Sequence, residues 1–262
     1  MTAPLTPRST RVAAAVKLLR PAGRKRSDRF LAEGINLVEA AVHRGLVEQV
    51  FATPAAAERH GALCAGLPVH AVTDAAARAL SETVTPSGLV AVCRVPDTRL
   101  DDVLGGKPRL VVVAVALSEP GNAGTLIRTA HAMGADAVVF AGHSVDPYNG
   151  KSLRSSAGSI FSVPVVTEPD LPGELLERLR AAGLSVLATT PQGELSLDDA
   201  GSLLTRPTAW IFGSESHGLP GGLAAAADHR VTIPMSGGAE SINVSAAAAI
   251  CLYLSARAQR IG

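Results

Sequence analysis

The segment Ile233–Arg257, IPMSGGAESINVSAAAAICLYLSAR, combines the marks of a strand end, a polar loop and a buried helix. Pro234 and the small-residue run SGGAE follow an apolar strand signal. Ser241, Asn243 and Ser245 then precede an alanine-rich run of helix formers, which is the pattern of a helix N-cap. A cap needs only one of these side chains. The crowded loop therefore predicts a ligand site, because the free N–H groups of a helix start suit a polar ligand.

Length and composition indicate a folded intracellular protein. The chain has 262 residues, of which 47% are hydrophobic and 18% charged, enough for two domains with a sizeable core. Cys64, Cys93 and Cys251 lie far apart without metal-ligand spacing, so we expect core side chains and no metal. No signal peptide and no apolar run of membrane-spanning length is found, so we expect a cytoplasmic protein without a membrane partner.

Positive charge is concentrated at the N-terminus, although the formal net charge is only +1. The basic residues before Phe30 are Arg8, Arg11, Lys17, Arg20, Arg24, Lys25, Arg26 and Arg29, against Asp28 alone. Such clustering is typical of a surface for a phosphate-bearing partner. A solvated basic arm is the alternative.

Two α/β domains are predicted. Residues 1–97 alternate strand and helix signals, and residues 98–108 read as a linker because charges, Gly-Gly and Pro occur together. Residues 109–262 begin with the β-branched run LVVVAVAL, which is typical of a buried parallel strand. Further alternation of strands and helices predicts a mostly parallel sheet.

Three loops of the second domain follow strands and are rich in polar residues. The first contains Asn122, a candidate helix cap, and Arg128 about a turn and two-thirds further along the helix. The second contains Gly213 and Glu215, and the third is the loop within Ile233–Arg257. Because ligands bind outside the carboxyl ends of parallel strands, the three loops predict one site. A GxGxxG fingerprint and its acidic partner are missing, which disfavours a nicotinamide-dependent oxidoreductase.

Three segments of the second domain resemble, in order and spacing, the three signature motifs of the SpoU/TrmH family of RNA ribose 2′-O-methyltransferases, which belongs to the SPOUT class. These segments are NAGTLIR, IFGSESHGL and IPMSGGAESINVSAA. This resemblance covers residues 109–262. The phrase RFLAEG…LVEAAV is similar to the family's N-terminal substrate-binding domain, which is akin to the ribosomal protein L30e fold. The resemblance implies a parallel sheet with helices on both faces, a deep trefoil knot and a homodimer. It also implies S-adenosylmethionine as cofactor and large-subunit rRNA as substrate. A tRNA methyltransferase and a non-catalytic RNA-binding protein are the alternatives.

The resemblance also assigns residues to roles. Arg128 is the principal catalytic residue that it implies, and the other motif positions are Asn122, Glu215, Ser241 and Asn243. The positions implied to lie against the cofactor are Thr189, Gly213, Ile233 and Ile242, the last of which is Leu in many relatives. Positive charge, rather than the resemblance, predicts the residues that contact RNA, which are Arg24, Lys25, Arg26, Arg29, Lys151 and Arg154.

The chemistry of ribose methylation suits these residue types. A hydroxyl is a poor nucleophile until its developing negative charge is stabilised or its proton is removed. Arg128 can do the first but not the second, because a guanidinium stays protonated in proteins. Our hypothesis is therefore that Arg128 stabilises the alkoxide while a substrate phosphate or Glu215 accepts the proton.

Overall fold

The computed structural model describes residues 3–168 and 172–261. The strands in these ranges are β1 Arg29–Glu33, β2 Val47–Ala52, β3 Val69–Ala71, β4 Leu89–Arg94, β5 Leu110–Val115, β6 Ala137–Ala141, β7 Val165–Glu168, β8 Ser185–Thr189, β9 Leu195–Ser196, β10 Thr208–Phe212 and β11 His229–Thr232. The α-helices are α1 Thr10–Val16, α2 Pro21–Ser27, α3 Ile35–His43, α4 Pro54–His60, α5 Asp74–Ala79, α6 Leu100–Gly105, α7 Pro120–Ala132, α8 Gly150–Ser156, α9 Pro172–Ala181, α10 Gly201–Leu204, α11 Gly221–Ala225 and α12 Val244–Ile261. Short 3₁₀ helices cover Lys17–Leu19, Ser159–Phe161 and Leu197–Asp199.

These elements form two compact units. Unit 1 comprises Met1–Asp97 and Tyr148–Phe161, and unit 2 comprises Thr98–Pro147 and Ser162–Gly262. Unit 1 thus includes α8, a segment that the sequence places in the second domain. Aromatic contacts explain this, because the ring of Phe30 on β1 lies 5.0 Å from that of Tyr148 and 6.0 Å from that of Phe161.

Unit 2 is built on a seven-stranded sheet in the order β7-β6-β5-β10-β8-β11-β9, with parallel pairing throughout. Alternate residues of each strand point to opposite faces. One face packs against leucines of α6 and α9. On the other face Trp210 of β10 is fully buried and donates its indole N–H to the Ser255 hydroxyl of α12 at 2.8 Å. Helices therefore cover both faces, and the predicted α/β class with a parallel sheet is confirmed.

Unit 1 has a four-stranded sheet in the order β1-β4-β2-β3. Strand β4 pairs antiparallel with both β1 and β2, whereas β2 and β3 are parallel. The sequence pattern does not reveal strand β1, because RFLAE runs directly into the helical pattern of α3. Gly34, at φ +91°, separates the two elements, a backbone conformation that favours glycine.

Residues 98–108, expected to be a linker, contain helix α6. Leu100 is buried in the core of unit 2, and Val103 and Leu104 pack against the same core. Their spacing of three and four residues places them on one helical face. The charges and glycines of this segment lie on the remaining surface and mask that pattern in the sequence.

Cys64, Cys93 and Cys251 are buried free thiols, as predicted. Burial raises the pKa of Cys93 and of Cys251 to about 12, so both are neutral core side chains. In the described part of the chain, no helix is long and apolar enough to cross a membrane. The same residues contain no cluster of side chains able to hold a metal ion.

Candidate active site

Three loops at the carboxyl ends of parallel strands supply the polar side chains of the candidate site. The β5–α7 loop leads into Asn122, the β10–α11 loop contains Glu215, and the β11–α12 loop ends at Asn243. Strand β10 lies next to β5 in the sheet, and β11 is separated from β10 by β8 alone. The parallel register brings all three loops to the same edge of unit 2.

The carboxylate of Glu215 is the centre of a hydrogen-bond network between the first two loops. Its Oε1 accepts from Asn122 Nδ2 at 2.8 Å and from the backbone N–H of Glu119 at 3.1 Å. Its Oε2 accepts from the hydroxyl of Ser118 at 3.0 Å and from the Ser118 N–H at 3.2 Å. Every one of these partners donates, so the network requires the ionised form of Glu215.

The pKa of Glu215 reflects this environment. Partial burial acts to raise the pKa, but the hydrogen bonds from Asn122 and from the backbone of Ser118 and Glu119 outweigh it and lower the pKa to about 2. A carboxylate with this pKa is a very weak base near neutral pH. The geometry therefore argues against Glu215 as the proton acceptor and favours a role in positioning Asn122.

Asn122 extends the network to the third loop. Its Oδ1 accepts a hydrogen bond from Asn243 Nδ2 at 3.0 Å, and its backbone carbonyl accepts one from the Ser245 hydroxyl at 3.2 Å. The Oδ1 of Asn243 in turn accepts from the Ser245 N–H at 2.8 Å, which caps helix α12. Asn243 thus both caps the helix and joins the loops, so the two roles expected for it coexist.

Asn122 itself does not cap α7, contrary to the expectation from sequence. The N-cap position belongs to Glu119, and Pro120 occupies the first helical position, where its missing N–H costs nothing. Asn122 is the third residue of the helix, within its first turn, and its amide faces Glu215 and Asn243.

Arg128 and Ser241 are exposed. Arg128 lies six residues beyond Asn122, about 9 Å along the axis of α7. Neither side chain forms a hydrogen bond or ion pair with another described residue. Both therefore remain available to a ligand.

The positions implied for the cofactor lie at the ends of adjacent strands. Thr189 ends β8, while Gly213 and Ile233 directly follow β10 and β11, the two neighbours of β8. Thr189 is held by a hydrogen bond from its hydroxyl to the Ile211 carbonyl at 3.0 Å. Ile242 is 38% exposed in the third loop. These residues provide backbone polar groups and apolar surface at one edge, which fits an adenosine-containing ligand.

Gly213 is required by close packing between two parts of the second loop. A Cβ atom at this position would overlap the backbone of Gly218 and Leu219. The loop closes through hydrogen bonds between the backbones of Ser214 and Gly218, at 2.9 and 3.1 Å. This closure projects Glu215 toward the first loop.

Two family models match the chain. The model of the SpoU rRNA methylase family matches residues 109–253, and that of the MRM3-like substrate binding domain matches residues 9–91. The chain belongs to the SpoU rRNA methylase family. This membership favours the methyltransferase interpretation over a nicotinamide-dependent enzyme.

Relatives of the family cover nearly the whole chain. The chain is 36% identical over 231 residues to the 23S rRNA (guanosine(2553)-2′-O)-methyltransferase RlmP of Bacillus subtilis, covering 88% of this chain and 89% of the relative. It is 31% identical to the solved SpoU methyltransferase AviRb of Streptomyces viridochromogenes in complex with AdoMet, with a TM-score of 0.84 and coverage of 97% and 99%. An AdoMet-bound rRNA methyltransferase from Sinorhizobium meliloti gives a TM-score of 0.85 at 27% identity, with coverage of 97% of each chain.

In this SpoU-family chain, Ser118 and Ser245 are site residues that sequence reasoning did not assign to catalysis. Ser118 fixes Glu215 through both its hydroxyl and its N–H, and Ser245 holds the backbone of Asn122. Ser245 is buried, at 6% exposure. A polar residue directly after a buried strand is the available signal for Ser118, but many such residues only end the strand.

Arg24 is buried, unlike the other basic residues predicted to contact RNA, so its side chain is not displayed for such a contact. The side chain is 5% exposed, and its guanidinium donates to the carbonyls of Leu18 at 2.9 Å and Leu19 at 3.0 Å. These bonds hold the turn between the first 3₁₀ helix and α2. Charge clustering in the sequence does not reveal which basic side chain points inward.

The other predicted RNA-binding residues lie on the surface of unit 1. Lys25 and Arg26 are exposed on α2, and Arg29 forms an ion pair with Glu48. Lys151 and Arg154 are exposed on α8. Arg154 also lies 3.8 Å from a carboxylate oxygen of Glu82, which partly neutralises its charge.

Proposed function

We propose that this chain is an S-adenosylmethionine-dependent methyltransferase that modifies a ribose 2′-hydroxyl of 23S rRNA. The observation that carries the proposal is the network in which Glu215, Asn122 and Asn243 join three loops, with the exposed Arg128 on the same helix as Asn122. The family to which the chain belongs and the names of its relatives support the same reaction class.

S-adenosylmethionine would supply an electrophilic methyl group carried on a sulfonium. The residues proposed to hold this cofactor are Thr189, Gly213, Ile233 and Ile242. The backbone around Gly213 and Ile233 offers hydrogen-bonding groups at adjacent strand ends, and Ile242 offers apolar surface. Ser241, exposed in the third loop, is proposed to orient the ligand or the ribose.

Arg128 is proposed to act on the RNA. Its guanidinium would donate hydrogen bonds to the ribose oxygen and stabilise negative charge as the O–H bond breaks and the O–CH₃ bond forms. The S–CH₃ bond of the donor would break in the same step, and its sulfur would leave as the neutral thioether S-adenosylhomocysteine. The proton must go to another acceptor, since Glu215 is saturated with donors. We assign that acceptor to a phosphate oxygen of the substrate, and we assign Glu215, Asn122 and Asn243 to positioning.

Unit 1 is proposed to hold the RNA, and the site of action is proposed to be the cytoplasm, where ribosomal RNA is available to it. Within Met1–Asp97 and Tyr148–Phe161 there are 14 basic and 8 acidic side chains, against 10 basic and 15 acidic in unit 2. A polyanion is therefore attracted to unit 1 rather than to unit 2. The exposed residues among the contacts predicted from the sequence remain proposed contacts: Lys25, Arg26, Arg29, Lys151 and Arg154.

A homodimer is also proposed. Helix α12 exposes Ala246, Ile250 and Tyr253 at spacings of four and three residues, which places them on one face. Ile250 is 39% and Tyr253 51% exposed. Adjacent exposed apolar side chains of this size are typical of a surface that another protein covers. The trefoil knot implied by the resemblance stays a prediction.

The test is transfer of a labelled methyl group from S-adenosylmethionine to transcribed 23S rRNA. We expect one phosphodiester bond, on the 3′ side of the methylated ribose, to become resistant to alkaline cleavage. Arg128→Ala should lower kcat by about 100-fold or more, as for loss of a donor to a developing oxyanion. Its affinity for S-adenosylmethionine, measured by calorimetry, should change less than about twofold, because a change confined to the transition state leaves ground-state binding intact.

Arg206→Ala is the matched control. Arg206 is an exposed arginine just before β10, at the opposite edge of the same sheet, and its loss should leave kcat unchanged. Methylation of tRNA instead of 23S rRNA would overturn the substrate. A fully active Arg128→Ala variant would overturn the role of the arginine.

A further inference from the structure

One end of the sheet in unit 1 places two arginines directly opposite each other. Strand β1 begins at Arg29 and β4 ends at Arg94, and these residues are Cα partners in the antiparallel register. Residues opposite each other in such a pair project to the same face, with Cβ atoms roughly 4.5–5.5 Å apart. Like charges in this position destabilise the sheet. Folding alone therefore does not account for the pair.

A third arginine lies at the same end. Arg44 follows α3, and the next residue, Gly45, accepts a hydrogen bond at 3.2 Å from the guanidinium of Arg94. The backbone N–H of Arg94 also donates to the Leu46 carbonyl at 3.0 Å. These two bonds fix the α3–β2 turn against the end of β4, so Arg44 is held next to Arg94.

The acidic residues at this end leave most of the positive charge uncompensated. Glu48 pairs with Arg29, at 2.5 Å between Oε2 and Nε. Among the described residues, no carboxylate forms an ion pair with Arg44 or Arg94. Both side chains are exposed. The exposed Lys25 and Arg26 of α2 come only three or four residues before Arg29.

We infer that Arg29, Arg44 and Arg94, named here the arginine cluster, bind the sugar–phosphate backbone of the substrate RNA. A guanidinium presents a planar fork of donors that matches phosphate oxygens, and phosphate contacts fix position without reading sequence. Bound phosphates would also relieve the repulsion between the opposed arginines. The inference rests on the proposed function, and it adds Arg44 and Arg94, whose roles are not predicted by the basic run before Phe30.

The experiment compares binding of transcribed 23S rRNA to the wild-type chain and to the double variant Arg44→Gln/Arg94→Gln over a range of salt concentrations. Each lost phosphate contact removes about one unit from the slope of log K against log salt. We therefore expect the slope to become shallower by about two units. Methyl transfer at low rRNA concentration should fall in parallel through KM, with kcat largely retained.

Two further variants separate the cluster from general charge. Arg59→Gln/Arg78→Gln removes the same charge from exposed arginines of α4 and α5 and should leave the salt slope near the wild-type value. Arg44→Lys/Arg94→Lys keeps the charge but loses the planar fork, so the slope should persist while affinity falls.

The outcomes distinguish this inference from the proposed function. If the wild-type chain methylates the rRNA but Arg44→Gln/Arg94→Gln binds it with unchanged affinity and slope, the arginine cluster is wrong and the function stands. If the Arg59→Gln/Arg78→Gln variant loses as much rRNA affinity and salt slope as the Arg44→Gln/Arg94→Gln variant, the arginine cluster is also rejected. If the wild-type chain neither binds nor methylates 23S rRNA, the proposed function itself fails. Retained S-adenosylmethionine binding and unchanged circular dichroism verify that each variant is folded.

Discussion

At the scale of single residues, Glu215 shows how a carboxylate in an active site can serve geometry rather than proton transfer. Four donors surround its two oxygens, and each donor belongs to an element that must be positioned. A base would need a free lone pair directed at the substrate and a pKa closer to neutrality. Glu215 has neither, so the pH dependence of the reaction in the range from 6 to 9 should not report its titration.

The depressed pKa of Glu215 also predicts how stability depends on pH. The folded-state pKa is about 2, below the value of about 4.3 for an unperturbed glutamate. Glu215 therefore contributes stability that is fully present above about pH 4.3 and is lost as the pH falls toward 2. We expect the wild-type chain to be more stable than Glu215→Gln by an amount that is constant from pH 8 to 5 and then shrinks.

Chemical denaturation at several pH values measures this difference. Glu240→Gln, which removes a negative charge from the exposed third loop, serves as the control. If the wild-type chain exceeds Glu215→Gln in free energy of unfolding by the same amount at pH 3 as at pH 7, the proposed role of the ionised Glu215 in the network is wrong.

At the scale of elements, the positions of the three loops could be predicted from the sequence, but their contacts could not. Strand and helix alternation places each polar loop at a carboxyl end, and that rule brings Asn122, Glu215 and Asn243 to one edge. The sequence does not show that Pro120 begins α7 and makes Asn122 its third residue. Nor does it separate β1 from α3, or show that Arg24 points inward. In each case the outcome depends on packing between segments distant in the chain.

Gly213 provides the test at this scale. The substitution Gly213→Ala would force the Ser214–Gly218 turn away from β10, because the added methyl overlaps the backbone of Gly218 and Leu219. Overpacking of this kind costs about 1–3 kcal/mol of unfolding free energy. The displaced turn should also weaken S-adenosylmethionine binding, measured by calorimetry.

Gly201→Ala is the matched control for Gly213→Ala. It adds the same methyl group in the same unit, where no atom lies within 4 Å of the new Cβ. Its thermal midpoint and its affinity for S-adenosylmethionine should match the wild-type values. If the Gly213→Ala variant binds S-adenosylmethionine with the wild-type affinity, the turn has no part in holding the cofactor.

At the scale of the whole molecule, charge is divided between the units in a way that suits their proposed tasks. Unit 1 carries an excess of basic side chains and unit 2 an excess of acidic ones. The near-neutral total conceals this division, although the basic run before Phe30 indicates part of it. Arg44 and Arg94 are not evident from the sequence because they are isolated in the chain and are brought to Arg29 only by the sheet register. A long-range pairing of this kind can be found only in the folded structure.

The proposed dimer places its interface on helix α12. An exposed Tyr253 beside Ile250 offers apolar area that a second copy would bury, as in the core of a typical interface. Tyr253→Asp would place a charge at the centre of that area, where it could not be solvated in a dimer. Sedimentation equilibrium should give twice the chain mass for the wild-type protein and a monomer for Tyr253→Asp. Val84→Asp is the control: it introduces the same charge at a fully exposed apolar residue of unit 1, and this variant should remain dimeric. If the Tyr253→Asp variant is also dimeric, this face of α12 is not part of the interface.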